Sequence, residues 1–376
     1  MHKMQDVKWE IIADDFTGAL DTGVQFVRAG MSVMFVIQPA QPVQPAQEEA
    51  DVRVLSTESR NVDEATAAAR VHAAVAEHSG RTIFKKIDST MRGHTGAEIE
   101  AVLAARSVQH AVVCPAAPDA GRTVEHGRLL VGGIALHETA FADDPHWPAR
   151  TSMVAELLRR PCTHLEHVTT QAIVHSPTAI VSVDARTNED LAAIVHAAHA
   201  AGALPCGSLG LARVWANLFA QNAAPHTQPP KLARPILIVA GSRHPNTHVQ
   251  IERLITAGAT AFTPHDEIST MRSALAADCT VILRAADEYV DGGVTQELAE
   301  VAERLLRMNQ PGTLVLTGGE TAAVVCTRLA VAAVRIGGEI TVGVPWGTIV
   351  GGAADGVRIV TKAGGFGDAE VLRSFA

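Results

Sequence analysis

Short apolar runs alternate with helix-like stretches along most of this chain, and that alternation limits the fold more than any other feature. Glu10-Ile11-Ile12-Ala13-Asp14 reads as a first strand and Gly18 to Ala29 as the helix after it. Ser32–Ile37, Val52–Ser56, Thr82–Ile87, His110–Cys114 and Ala179–Val183 read as further strands, with helical patterns at Val62–His78, Ala97–Arg106 and Asn188–Ala201. Such alternation builds a mostly parallel sheet covered by helices. The Pro/Gln-rich segment Pro39–Glu49 reads as an exposed loop. Asn222–Pro235, with four prolines and little periodicity, reads as a linker. Beyond it, strands at Ile236–Ala240, Val281–Arg284, Leu314–Thr317 and Arg358–Thr361 alternate with helices at Thr247–Ala257, Thr295–Met308 and Glu320–Leu329. A length of 376 residues exceeds one ordinary core. The expected fold is therefore α/β with two domains, 1–221 and 236–376, joined by 222–235. Each carries a mostly parallel or mixed sheet flanked by helices, with the active site in the cleft between them.

Composition narrows the partners. A net charge of −9 argues against nucleic acid, whose phosphates need a basic surface. The five cysteines are scattered without paired spacing, which fits reduced thiols better than disulfides or a zinc site. No apolar run is long enough to span a membrane, and Met1 to Lys8 lacks a secretory apolar core. A cytoplasmic location is expected. The 17 histidines show no ligand spacing with carboxylates or thiols, so solvated positions are the expectation for most, with His94 and His126 closest to the motifs below.

In an open α/β sheet, ligands bind where strand ends and helix N-termini converge. Lys85-Lys86-Ile87-Asp88-Ser89-Thr90-Met91-Arg92-Gly93-His94-Thr95-Gly96 sits at such a place and gathers cations in an acidic chain. Lys86 and Arg92 can hold a ligand carboxylate or phosphate, and Asp88 can hold or activate a hydroxyl. Asp14-Asp15-Phe16-Thr17-Gly18 ends the first strand. Strand alternation leaves one of Asp14 and Asp15 to face the crevice, and helix capping by Asp15 or Thr17 is the plainer use of the motif. Arg60 and Arg122 follow two further strands. A charged turn at any one of these places is ordinary; their recurrence at equivalent places is not.

The second half is glycine-rich at its own strand ends: Gly241-Ser242, Thr317-Gly318-Gly319-Glu320-Thr321 and Lys362-Ala363-Gly364-Gly365-Phe366-Gly367. Glycine lets backbone N–H groups approach phosphates at a helix N-terminus. Neither a P-loop nor a Gly-x-Gly-x-x-Gly fingerprint is present. That weakens a dehydrogenase reading.

Taken in order, Ile12-Ala13-Asp14-Asp15-Phe16-Thr17-Gly18, Lys86 to Gly93, Gly121-Arg122-Thr123, Thr317 to Thr321 and Lys362 to Gly367 resemble the four-carbon acid sugar kinase family nearly end to end. The resemblance implies an N-terminal acid-sugar-binding domain, a C-terminal ATP-binding domain and phosphorylation of the terminal hydroxyl of a four-carbon sugar acid. Asp21 to Gln25, Ser56 to Arg60 and Lys86-Ile87-Asp88 are most similar to the D-threonate branch, with D-erythronate or 3-oxo-tetronate as alternatives and a non-catalytic sensor as a rival. By the same resemblance, Asp15, Arg60, Lys86, Ile87, Asp88 and Ser89 contact the acid. Ser242, Gly318, Gly319, Glu320, Thr321 and Gly364, with Gly365 beside it, contact ATP. Arg60 with Lys86 or Arg92 would pair the carboxylate, with Arg122 a further cation, and Asp15 or Asp88 would orient the 4-hydroxyl and take its proton. ATP and Mg²⁺ are the implied cofactors, the metal's protein ligands being unassigned. The implied partners are small molecules, with room for a homo-oligomer. Arg243-His244 stand after Ser242 where the family carries smaller residues.

Overall fold

A computed structural model describes residues 8–37, 49–76, 80–220, 231–242, 244–285, 293–365 and 367–375. The expected loop at Pro39–Glu49, save Glu49, and the expected linker up to residue 230 lie outside the described residues, as do Arg243 and Phe366. The chain forms two compact units, Met1–Ser32 with Ala50–Ala223, and Val33–Glu49 with Ala224–Ala376.

In the first unit, β1 (Trp9–Ala13) leads into α1 (Phe16–Arg28); β2 (Val33–Val36) belongs to the second unit. β3 (Val52–Ser56), α2 (Glu64–Ala76), β4 (Thr82–Lys86), α3 (Thr95–Arg106) and β5 (Ala111–Cys114) follow. A short antiparallel meander of β6 (Arg122–Glu125), β7 (Arg128–Val131) and β8 (Ile134–Ala135) then interrupts the alternation. Next come α4 (Val154–Leu158), β9 (Cys162–Leu165), α5 (Thr170–Val174), β10 (Ile180–Val183), α6 (Asn188–Ala200), β11 (Leu204–Gly207) and α7 (Leu209–Leu218). The sheet runs β3-β1-β4-β11-β5-β10-β9 and is parallel throughout. β1, β5, β10 and β11 are buried on both faces, as helical cover requires, while the edge strand β9 is only half-buried. Trp9, Phe26, Trp215 and Phe219 form the aromatic centre, the Trp9 and Phe219 rings lying 4.6 Å apart. Because β1 pairs with β3 on one side and β4 on the other, its carboxyl end is a topological switch point.

The second unit continues with β12 (Ile236–Ala240), α8 (Pro245–Thr256), β13 (Thr260–Phe262), α9 (Ile268–Ala276), β14 (Thr280–Arg284), α10 (Val294–Met308), β15 (Thr313–Thr317), α11 (Gly319–Arg328), β16 (Ala333–Glu339), β17 (Pro345–Val350) and β18 (Arg358–Lys362). β13-β14-β12-β15-β18 are parallel, and β17, β16 and β2 complete a mixed sheet by antiparallel pairing. β12 lies between β14 and β15, a second switch point. Among the described residues no helix is long and apolar enough to cross a membrane.

One ion pair lies beneath the first switch point. Lys85 Nζ on β4 meets Glu98 Oε2 on α3 at 2.7 Å, and both side chains are essentially inaccessible. The other carboxylate oxygen accepts from Ser59 Oγ at 2.6 Å, and Lys85 also donates to Lys86 O at 2.9 Å. Removing one partner strands a buried charge, whereas apolar replacement of both does not. Glu98→Ala is therefore expected to destabilise the first unit by about 3–5 kcal/mol. Lys85→Met with Glu98→Leu should restore most of that loss in urea unfolding followed by tryptophan fluorescence. A single variant as stable as the parent would show that the pair holds nothing.

Candidate functional site

After Ala13 the chain leaves the strand, so the alternation expected of Asp14 and Asp15 lapses and both carboxylates reach Arg60. The loop after β3 brings that arginine in, with Ser59 N donating to Asp14 O at 3.0 Å. Arg60 Nε donates to Asp14 Oδ2 at 2.7 Å and Nη2 to Asp14 Oδ1 at 3.0 Å. The same Nη2 lies 2.8 Å from Asp15 Oδ1 and 3.9 Å from Asp88 Oδ1. One guanidinium thus gathers the carboxylates that follow β1 and β4.

Asp88 is saturated with donors. Thr90 N at 3.1 Å, the Thr90 hydroxyl, and Arg92 Nε and Nη2 at 3.0 and 2.9 Å all donate to it. Burial would raise its pKa, but the charges of Arg92 and Arg60 outweigh that and hold it well below the usual carboxylate range. Asp14 is lowered in the same way: Arg60, Lys85 and Lys86 outweigh its burial. Arg92 Nη1 also lies 3.7 Å from Asp144 Oδ2, so both arginines of the cluster are engaged by protein carboxylates.

Asp15 caps α1, accepting from Gly18 N at 3.0 Å and from Thr17 Oγ1 at 2.9 Å, and keeps 19% of its side chain exposed. The capping use is real and coexists with the Arg60 contact. Lys86 points to the face opposite Lys85, as strand geometry demands. Its Nζ lies 3.0 Å from where a Gly18 Cβ would stand, and that Cβ would collide with Asp15 Oδ1, so only glycine fits there. Lys86 is 6% exposed, and among the described residues its ammonium has no ion-pair or hydrogen-bond partner. Ile87 is buried and donates to Gly207 O at 3.0 Å; Ser89 is half-buried. Arg122 stays in its own turn, donating to Ala120 O, and makes no contact with the Asp14–Arg60–Asp88 network. His94 and His126 are held by Val62 O and Glu166, and among the described residues no group of three or more His, Cys, Asp or Glu could hold a metal ion.

In the second unit, the loops after β12, β15 and β18 converge. Gly318 adopts φ 95°, a region that favours glycine, and a Cβ there would stand 3.4 Å from Ser242 N. A Cβ on Gly364 would collide with Ser242 Oγ, and one on Gly365 would lie 3.2 Å from His244 Nε2. α11 begins at Gly319 with no side-chain cap on its first N–H groups, the condition for receiving an anion. Thr321 is buried against Gly241, whereas Glu320 is exposed. His244 caps α8, its Nδ1 accepting from Asn246 N at 3.1 Å. Ser242, Gly318, Gly319, Thr321, Gly364 and Gly365 therefore come together, with Glu320 at the rim.

Sequence reasoning left Asp14 as the alternative to Asp15 and assigned no role to Thr90, Asp144, Thr247 or Lys362, all of which hold one of these two clusters together. Lys362 carried a signal: a charged residue that ends a strand and opens a glycine run. Asp144 and Thr247 carried none, because their contacts join distant segments.

A sugar-binding N-terminal domain family matches residues 9–215, and a nucleotide-binding C-terminal domain family matches 284–372. A D-threonate kinase of Bordetella bronchiseptica is 35% identical over 96% of this chain and 95% of its own. A D-threonate kinase of Salmonella typhimurium is 31% identical over 97% of each. A solved structure from Bordetella bronchiseptica, described as a domain-swapped dimer with bound citrate, is 34% identical, covers 98% of this chain and 97% of its own, and superposes with a TM-score of 0.51. A carboxylate cluster in the part matched as sugar-binding, a glycine-rich cluster lying mostly within the part matched as nucleotide-binding, and full-length similarity to two kinases have one common reading: the chain belongs to the four-carbon acid sugar kinase family.

Proposed function

We propose that this chain transfers the γ-phosphoryl group of ATP to the 4-hydroxyl of D-threonate, giving 4-phospho-D-threonate and ADP. The observation that carries the acid site is the state of its cations. Arg60 and Arg92 are both engaged by protein carboxylates, whereas the buried Lys86 ammonium makes no hydrogen bond or close ion pair among the described residues. Lys86 is the cation left to meet the acid's carboxylate. D-threonate is favoured over D-erythronate and 3-oxo-tetronate because the two relatives reported above are D-threonate kinases.

Asp15 is the base in this reading. It is the more exposed of the two candidates, and Asp88, held ionised by Arg92 and Arg60, is better suited to orient than to accept a proton. As the 4-hydroxyl oxygen bonds to the γ-phosphorus, its proton passes to Asp15 and the bond from the γ-phosphorus to the β–γ bridging oxygen breaks, releasing ADP. Ser242, Gly318, Gly319, Thr321, Gly364 and Gly365 line the phosphate cradle, and missing Cβ atoms at Gly318 and Gly364 leave the close approach that phosphates need. Mg²⁺ entering with the nucleotide would neutralise phosphate charge, ligated chiefly by phosphate oxygens and water. A cytoplasmic location goes with this reading, supported by five cysteines that all remain free thiols.

ADP release with MgATP is the direct test, across D-threonate, L-threonate, D-erythronate and 3-oxo-tetronates. D-threonate should give the highest kcat/KM, and turnover confined to another acid would reassign the substrate. Asp15→Asn should lower kcat by about 10²–10⁴-fold. Lys86→Met should raise KM for the acid by about 10–100-fold, the value of one charge-assisted hydrogen bond. Near-normal turnover in both Asp15→Asn and Asp88→Asn would overturn the mechanism.

A further inference from the structure

Lys362 ends β18 with no exposed surface, although a lysine at a strand end ordinarily sends its ammonium into water. Its Nζ donates to Thr247 Oγ1 at 3.2 Å, to Ala363 O at 3.1 Å and to Gly364 O at 3.0 Å. These acceptors are neutral oxygens, and two of them belong to the glycine turn itself. Thr247 Oγ1 donates to Gly364 O at 2.9 Å and lies 3.2 Å from Ser242 Oγ. The ammonium thereby ties the turn after β18 to the first turn of α8 and to the loop after β12.

Peptide geometry turns that tie into an orientation. In a trans peptide the C=O and the following N–H point in opposite directions. With the carbonyls of Ala363 and Gly364 drawn toward the ammonium, the N–H groups of Gly364 and Gly365 are turned away from it. Successive N–H groups of this kind form an anion-binding concavity. We propose that Lys362 is a positioning residue for a nucleoside triphosphate, aiming the Gly364 and Gly365 N–H groups at the phosphates and placing a positive charge behind them. This rests on the kinase reading above and adds to it a residue that does not itself touch the phosphates.

The charge behind the loop makes nucleotide affinity depend on pH. Burial pushes the Lys362 pKa down to about 8. Of the elements packed against it, β15 and β17 carry no titratable side chain, α11 contributes the exposed Glu320 at its near end, and α8 contributes exposed His244 and His248. Bound phosphate favours the charged ammonium, so affinity is full below that pKa and falls as the pH rises through it.

Calorimetric titration of the full chain with ATP, at about pH 7 and about pH 9, tests this, with D-threonate binding as an internal control. The parent protein should lose about tenfold in ATP affinity between the two conditions, the fall in protonated Lys362. Lys362→Met should bind ATP at least about tenfold more weakly near pH 7 and show no such slope, with D-threonate affinity and Tm preserved. A Lys362→Met protein that keeps the parent's ATP affinity, or the parent's pH slope, overturns the proposal while leaving the kinase reading intact. A parent protein that binds no ATP overturns both. If Lys362→Met does not fold, the parent's profile decides alone: flat affinity across this range refutes the inference, and a tenfold fall supports it.

Discussion

The contact between Lys85 Nζ and Glu98 Oε2 decides where the chemistry of the first unit stands. Neither group can be left alone away from water, so β4 and α3 have one acceptable register against each other. With Lys85 committed to α3, the two-residue period of β4 sends Lys86 to the opposite face, against the start of α1. Glu98 also holds Ser59, and the next residue is Arg60. A single buried pair therefore locates one cation of the site directly and a second through its neighbour in the chain.

The carboxylate cluster of the first unit is built from like charges that need cations simply to coexist. Asp14, Asp15 and Asp88 converge on Arg60, and Asp88 and Asp144 converge on Arg92. Their guanidinium forks are used up in holding the protein's own carboxylates ionised and oriented. Under the proposed function, selectivity for an anionic substrate falls to Lys86, whose flexible, compact ammonium is a point charge able to follow a ligand. In that reading, this division of labour accounts for so many carboxylates in a site for an acid, in a chain of net charge −9.

The second unit solves a different problem. Phosphates carry more charge than one carboxylate, and under the proposed function the loops would meet them chiefly with backbone N–H groups and a helix N-terminus. Side chains would only obstruct, which is why the collisions at Gly364 with Ser242 and at Gly241 with Thr321 fall where the loops after β12, β15 and β18 converge. Lys362 lies beneath these loops, buried, with its ammonium donating to Gly364 O at 3.0 Å. Both sites stand at the carboxyl ends of parallel strands beside a switch point, because only there do neighbouring loops part to opposite faces.

Much of this was legible before any coordinates. The strand–helix alternation foretold two α/β units, and the charged and glycine-rich turns stood at strand ends in an order characteristic of one family. What sequence could not supply were pairings between distant segments: the meander of β6 to β8, the antiparallel β16 and β17, and the return of β2 to β16. The same limit governed the site. Local periodicity argued that one of Asp14 and Asp15 would turn away, but a bend after Ala13 let both reach Arg60, which lies 46 residues from Asp14. Sequence alone determined which reactive groups are present and which strand ends carry them, because those follow from local period and turn chemistry. Tertiary structure alone decided which cations are held by the protein's own carboxylates and which are not, since ion-pair choice depends on distances of a few ångströms between segments that the sequence keeps far apart.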